Sequence, residues 1–364
     1  MVEIVSFLAS WLTLFGIYAI LSLCLNMEVG YTGMANTGLV SFYGIGSFIA
    51  GYISLSAFLH FYGYTYPIYS LDAVIAMGKI SGSNPSLSIG VFLLSLVVAF
   101  LVSGAVGYLV SYPTLRVGPA FLGITILSFG EMFRIFMKHF TPTGASYGLL
   151  GIPNPFGWVS DSTVKATLFL SLTLTILVIA YLYLQALSNS PYGRMLRSIR
   201  EDEVASLCMG KPVPQIKAQL LFVGSGISGI AGALLAFYQG SVSPDMFTTA
   251  VTLEVWSMVI LGGRGNNRGA LLGAAMISLL GWSSSLLNFY LPSLAVDPNY
   301  IRWMLLGAVM VIILLYRPKG MLAEKPVYTK AWSLYEVKEE RRVLRKSGMA
   351  VKRAFNWLAG RTNK

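Results

Sequence analysis

The chain has 364 residues, of which 55% are hydrophobic and only 11% charged, and it carries a net charge of +11. Soluble domains carry about 25% charged residues, so the composition excludes an ordinary soluble enzyme and points to an all-α polytopic transmembrane helical bundle. The two cysteines, Cys24 and Cys208, and the two histidines, His60 and His139, show neither disulfide nor metal-ligand spacing, and neither a metal nor a cofactor is expected.

Apolar runs of roughly 20 residues, the length that crosses a bilayer, fall near 4–25, 39–61, 88–111, 119–138, 166–187, 217–238, 246–262, 269–290 and 300–316. These make about nine spans, within a bracket of about eight to ten. The second is Gly-rich and the seventh short. The opening MVEIVSFLAS carries Glu3 instead of a basic stretch and reads as an uncleaved first span. Segments 62–87 and 139–165 are long loops rich in Gly, Pro, Ser, Tyr and Asn.

Placing the C-terminus inside puts segments 112–118, 188–216 and 263–268 on the same side as the tail. Counting Lys217 at the edge of its span, they hold 21 of the 26 Lys and Arg residues. By the positive-inside rule the N-terminus is then outside and the C-terminus cytoplasmic. Residues 317–364 hold 13 Lys/Arg against 4 Glu, a net of +9. This divides the chain into a membrane domain, 1–318, and a basic cytoplasmic tail, 319–364, in which 331–346 reads as an interfacial helix. Because the tail follows directly on a span, anionic lipid is the simpler partner and nucleic acid is not expected.

The stretch 190–210, SPYGRMLRSIREDEVASLCMG, is a charged helix inside this apolar chain. Ser190 suits the N-cap and Pro191 the first helical position, while Gly210 and the prolines at 212 and 214 stop it. The helix is expected over 191–209. Arg194, Arg197 and Arg200 precede Glu201, Asp202 and Glu203. Arg197–Glu201 and Arg200–Glu203 stand at helical pairing distances. Such a helix fits docking against another protein at the membrane face; a solvated loop fits the charge equally well.

A faint repeat links residues 33–38, GMANTG, with 263–269, GRGNNRG. It fits either a parallel duplication of the kind found in transporters or chance among Gly-rich segments. Three motifs tempt an enzymatic reading. Gly224-Ser-Gly226-Ile-Ser-Gly229 matches a dinucleotide fingerprint but lies inside a span, where small residues at intervals of four pack helices closely. Gly144-Ala-Ser146-Tyr-Gly148 matches a nucleophile elbow, with His139 near it, but no carboxylate is placed to orient that histidine. Gly262-Gly263-Arg264-Gly265 lacks the Lys-Ser/Thr of a phosphate loop, and Gly265, Gly269 and Gly273 read as one packed helix face. Glu131, with Arg134 three residues on, fits pairing or path lining. Glu254 has no opposite charge near it in sequence, which favours a functional role.

The order SPYGRMLRSIREDEVASLCMG, SGISGIAGALLAFYQGSVSPDMF, LEVWSMVILGGRGNNRGALLGA and YRPKGML resembles the permease subunits of branched-chain amino acid ABC importers. The segments GMANTGLVSFYGIGSFIAGY, LSFGEMFRIF and TGASYGLLGIPNP fit in order, so the resemblance covers about residues 25–322. It implies a multi-pass subunit of a prokaryotic cell membrane, itself not an enzyme, that translocates branched-chain or related amino acids by alternating access. Its implied partners are a second permease, homologous or identical, two cytoplasmic ABC ATPases and an extracytoplasmic substrate-binding protein.

Glu203 through Ala205 to Gly210 is similar to the EAA–Gly coupling loop of such permeases. The coupling set is then Arg194, Arg197, Arg200, Glu201, Asp202, Glu203, Ala205 and Gly210. Candidates for the translocation path are Asn36, Gly38, Ser41 and Gly44 in the first Gly-rich break, Glu131 and Glu254, and Gly263 and Gly265 in the second. Departures from the family pattern are Phe42-Tyr43 where Gly-His is common, Gly144-Ala145 for Gly-Gly, and Asn266-Asn267 for Ser or Thr with a large residue. Urea or amide permeases share the scaffold and remain an alternative, as does an ion-coupled secondary transporter, for which Glu131, Arg134 and Glu254 would have to form a relay.

Overall fold

The computed structural model describes residues 2–80, 82–115, 119–290 and 298–324. The expected interfacial helix at 331–346 lies outside the described residues, as does Arg116 of the expected inside set. In chain order the helices are α1 (Val2–Leu25), α2 (Leu39–Phe61), α3 (Leu71–Ile80), α4 (Pro85–Thr114), α5 (Pro119–His139), α6 (Ser162–Asn189), α7 (Pro191–Glu201), α8 (Glu203–Cys208), α9 (Val213–Gln239), α10 (Thr249–Gly262), α11 (Asn267–Tyr290) and α12 (Pro298–Tyr316). Strands β1 (Leu149–Leu150) and β2 (Ser241–Val242) form one short antiparallel bridge, with Leu149 opposite Val242. The chain is therefore an all-α polytopic bundle. Six stretches among the described residues are both long and apolar enough to cross a membrane.

Two elements differ from the sequence expectation. Loop 62–87 contains α3, which buries Ala73, Ala76 and Met77 and exposes Leu71 and Ile75, a two-faced pattern too short to register as a span. The seventh expected span, 246–262, lies within one of the six candidate spans, Pro244–Gly262, but its α-helix covers only 14 residues, Thr249–Gly262. A 3-10 turn at Pro244–Met246 and β2 precede it. The loop 139–165 folds back to supply β1 and buries Leu149 completely.

The centre of the bundle is the packing of α2, α4 and α9. Small residues permit it. A Cβ on Gly46 would overlap the backbone of Gly229, and one on Gly232 would overlap the Tyr43 carbonyl. At these distances hydroxyls bridge helix to helix: Ser47 Oγ donates to the Gly232 carbonyl at 2.6 Å and Ser103 Oγ to the Phe42 carbonyl at 3.1 Å. The glycines at 224, 226 and 229 thus serve helix packing, as interhelical small residues do in membranes; they lie inside α9 with no strand before them. The α10–α11 hairpin closes in the same way, with Gly269 against the Gly262 carbonyl and Gly273 against that of Met258. Gly265 is not part of that face. It sits in the turn before α11 with φ +78°, because the helix begins only at Asn267.

Candidate coupling and translocation sites

Ser190 accepts from the Gly193 amide at 3.3 Å, and Pro191 opens α7. The expected continuous helix 191–209 breaks at Asp202, whose backbone is extended (φ −153°, ψ 108°). Its side chain instead caps α8, accepting from the Ala205 amide at 2.9 Å, as Asp does when it competes with helix continuation. Gly210, at φ +77°, ends the element. α7 buries Leu196 and Ile199 beneath it. The Tyr192 hydroxyl donates to the Ile216 carbonyl at 3.0 Å, and burial pushes its pKa up to about 12. The outer face carries Arg194, Glu201, Asp202 and Ala205, together with three exposed apolar side chains, Val204 at 68%, Leu207 at 46% and Met209 at 81%. This face therefore combines charge with an exposed apolar knob.

The expected local pairs do not form. Arg197 binds Glu324 at 3.2 Å and lies over the Tyr31 ring, 5.0 Å from its centroid. Arg200 binds Glu324 at 2.8 Å and Glu201 at 2.9 Å, and donates to the Gly30 carbonyl. Glu203 takes Lys217, at 2.7 Å. The reason is geometric. The break at Asp202 turns Glu203 toward α9, and half-buried guanidinium groups gain more from a carboxylate on packed chain than from one on an exposed helix face.

Glu324 ends a strap that follows α12. Its backbone is bonded to the end of α10: Met321 N–H to the Leu261 carbonyl and Leu322 N–H to that of Gly262, both 2.9 Å. The first residues of the expected tail are thus part of the bundle. Gly263, at φ +116°, leaves room for the Leu322 carbonyl. Gly265 lies against Glu324 and Arg200, and its amide donates to Asn26 Oδ1 at 2.9 Å. Asn26 also donates to Asn267 at 2.9 Å, and Asn267 to Gln185 at 3.0 Å. Asn267 is therefore one node of an amide chain linking the end of the first span, α11 and α6, whereas Asn266 donates to the Leu322 and Ala323 carbonyls at 3.3 Å. The amide chain starts in the π turn Asn26–Gly30, with which the first span ends.

Of the other path candidates, Asn36 and Gly38 lie in the irregular stretch 33–38, and Ser41 and Gly44 lie in α2. Asn36 is buried; it donates to Glu28 Oε2 at 2.7 Å and its carbonyl accepts from Trp256 at 2.9 Å. Gly38 lies against the Ile126 carbonyl, and Ser41 donates back to Gly38 at 2.6 Å. Gly44 meets the rings of Phe247 and Phe133. Glu28 escaped the sequence reading because it stands just past the end of the first apolar run.

Farther from α7, Glu131 pairs with Arg134 at 2.8 Å, the spacing anticipated, and accepts from Thr249 at 2.7 Å. Arg134 and Lys138 also reach Asp245, at 3.4 and 2.5 Å. Glu254, buried, pairs with Arg302 on α12; Arg302 is 48 positions away and invisible to local pairing. That pair borders a cavity of about 320 Å³ between α1, α2, α9, α10, α11 and α12. The eight path candidates thus separate into the 33–38 break with the start of α2, the Gly263–Gly265 turn and two ion pairs farther from α7, and of these only Glu254 lines the cavity. Ser146 donates to the Lys138 carbonyl and His139 Nδ1 lies 2.9 Å from that of Ile135, so the two do not form a nucleophile–base pair.

The family model described as "Branched-chain amino acid transport system / permease component" matches residues 7–314. The chain is 30% identical over 335 residues to a probable branched-chain amino acid transport permease protein LivM of Methanocaldococcus jannaschii, covering 90% of this chain and 96% of the relative. It is 29% identical to the high-affinity branched-chain amino acid transport system permease protein LivM of Escherichia coli, over 85% of this chain and 68% of that protein. It is 23% identical to the corresponding LivH of Escherichia coli, over 86% and 94%. No solved structure matches the chain.

Proposed function

Because the chain belongs to the branched-chain amino acid transport permease family, we propose that it is the membrane-spanning half-channel of an ATP-driven importer for branched-chain or related amino acids. The observation that carries this reading is the α7–α8 element. It sits between two spans, presents charge and an apolar knob outward, and is riveted inward through Arg200 to the end of α1 and to the strap. A partner that binds this knob and changes shape would move the element and, with it, α1, α10 and α12. Partner ATPases supply that motion, and the spans alternate between outward- and inward-open arrangements as rigid bodies. The excess of Lys and Arg on the α7 side supports a cytoplasmic α7 side and an outside N-terminus, by the positive-inside rule. A second permease completes the channel, and a binding protein delivers the substrate from outside.

The ion-coupled alternative has less support, since Glu131 and Glu254 are each closed by an arginine. Co-expression with ABC ATPase subunits of the branched-chain amino acid importer type tests the reading. Val204→Asp with Leu207→Asp should abolish ATPase co-purification while leaving the bundle folded, because both side chains are exposed. Undiminished co-purification would contradict it.

A further inference from the structure

We propose that the cavity bordered by Glu254 and Arg302 is a binding site, inside this subunit, for a zwitterionic α-amino acid with an apolar side chain; this deepens the transport reading above and rests on it. The cavity, about 320 Å³, falls at the lower end of the range for small-molecule sites. Its walls join an apolar part, including Leu235 and Val251, to a polar part made of Glu254, Arg302, Gln239, Tyr18, Tyr43 and Trp11.

The charges define the ligand. Glu254 and Arg302 neutralise one another across α10 and α12. A lone charge in this environment is costly, because neither water nor lipid replaces the lost partner. A zwitterion exchanges partner for partner: its carboxylate takes Arg302 and its ammonium takes Glu254. The site holds no net charge before or after. A simple amine or a simple carboxylate would leave one of the two residues unpaired, so the site selects against both.

Two further polar groups at the cavity wall could serve a ligand acceptor. Trp11 Nε1 and the Tyr43 hydroxyl are buried and have no hydrogen-bond partner among the described residues, yet both residues line the cavity. An indole N–H can only donate, and a buried donor left unsatisfied is expensive, so an acceptor belongs there. Tyr43 is almost wholly buried, with its ring edge-on to Phe247, 5.4 Å between centroids, which fixes its hydroxyl. Gly281 makes the space for Arg302: a Cβ there would stand 3.2 Å from the guanidinium carbon.

The test uses the full chain in lipid nanodiscs with its co-purifying subunits, and equilibrium binding of tritiated L-leucine. 4-Methylpentanoate and 3-methylbutylamine, each lacking one charge of the zwitterion, serve as competitors. Both should compete at least about tenfold more weakly than unlabelled leucine, the discrimination of one unpaired buried charge. Tyr43→Phe, which keeps the packing, should weaken leucine binding by about two- to tenfold. The Glu254→Gln/Arg302→Gln double variant should bind none. Absence of leucine binding to the unaltered chain, equal competition by either analogue, or unchanged binding in both variants would overturn the site. If ATP-dependent uptake persists in the double variant, the transport reading stands and the site falls. If the unaltered complex shows no uptake, the transport reading falls, and the binding assay still decides the cavity.

Discussion

Two arginine–glutamate clusters near opposite ends of the same helices differ in what surrounds them. At the α7 end, Glu324 accepts from Arg197 and Arg200, Arg200 reaches the Gly30 carbonyl, and an amide chain from Gly265 through Asn26 and Asn267 to Gln185 runs beside them. At Glu254–Arg302 the pair faces a cavity, with two donors beside it that lack partners among the described residues. The first arrangement is a rivet and the second a socket. Buried polar groups that are fully satisfied fix a geometry, whereas an unsatisfied buried donor stays costly until an acceptor reaches it. Under the proposed transport reading, the rivet is the joint where force would enter and the socket the site that substrate would occupy.

Substitutions at the two clusters should therefore diverge. The largest effect is expected from Arg200→Glu, which sets a carboxylate against Glu324 and the Gly30 carbonyl. Removing one partner of such a pair costs about 3–5 kcal/mol, so the melting temperature and yield of folded protein should drop, and not merely the coupling. A stable but uncoupled variant would mean that the joint is only a contact surface. Next is Gly269→Leu, which forces a side chain between α10 and α11 where the strap is anchored. Overpacking of about 1–3 kcal/mol or more is expected, read as loss of monodisperse protein in gel filtration. Glu324→Gln keeps the shape and removes the charge; the loss should be about 1–3 kcal/mol in thermal unfolding.

At the socket, replacing Glu254 and Arg302 together by Gln leaves no orphan charge, and replacing a whole buried pair is often neutral. Its melting temperature should stay close to that of the parent while leucine binding is lost. The smallest effect on the bundle is expected from truncation after Glu324, which spares the rivet. Uptake should persist, while binding to anionic liposomes weakens by about 1 kcal/mol for each basic residue that had touched the surface. Loss of uptake by a correctly inserted, ATPase-bound truncation would give the tail a gating role.

The contrast also marks what the sequence could reveal. Caps at Ser190 and Gly210 and the small-residue faces of α9 and, apart from Gly265, of α11 were legible, because local chemistry dictates them; the Gly-rich breaks read over 33–51 and 262–273 are irregular only up to Gly38 and Asn266. The pairing of Glu131 with Arg134 was legible for the same reason. The division of α7 from α8 was less so: Asp202 is a good N-cap, but its place inside a charged run concealed a new helix start. The pairings of Arg200 with Glu324 and of Glu254 with Arg302 were not legible, since helical spacing says nothing about residues 124 or 48 positions apart. The cavity was equally hidden. Trp11, Tyr18 and Tyr43 look in sequence like ordinary aromatic residues of spans, and only the convergence of α1 and α2 on α10 and α12 brings them together.

The central claim is that force enters at α7–α8 and is spent on moving an amino acid through the spans. Leucine uptake into proteoliposomes carrying the assembled complex, with ATP supplied on the α7 side, tests it most directly. Uptake should require ATP and persist when every ion gradient has been collapsed. Uptake that ignores ATP and vanishes with the gradient would contradict the account.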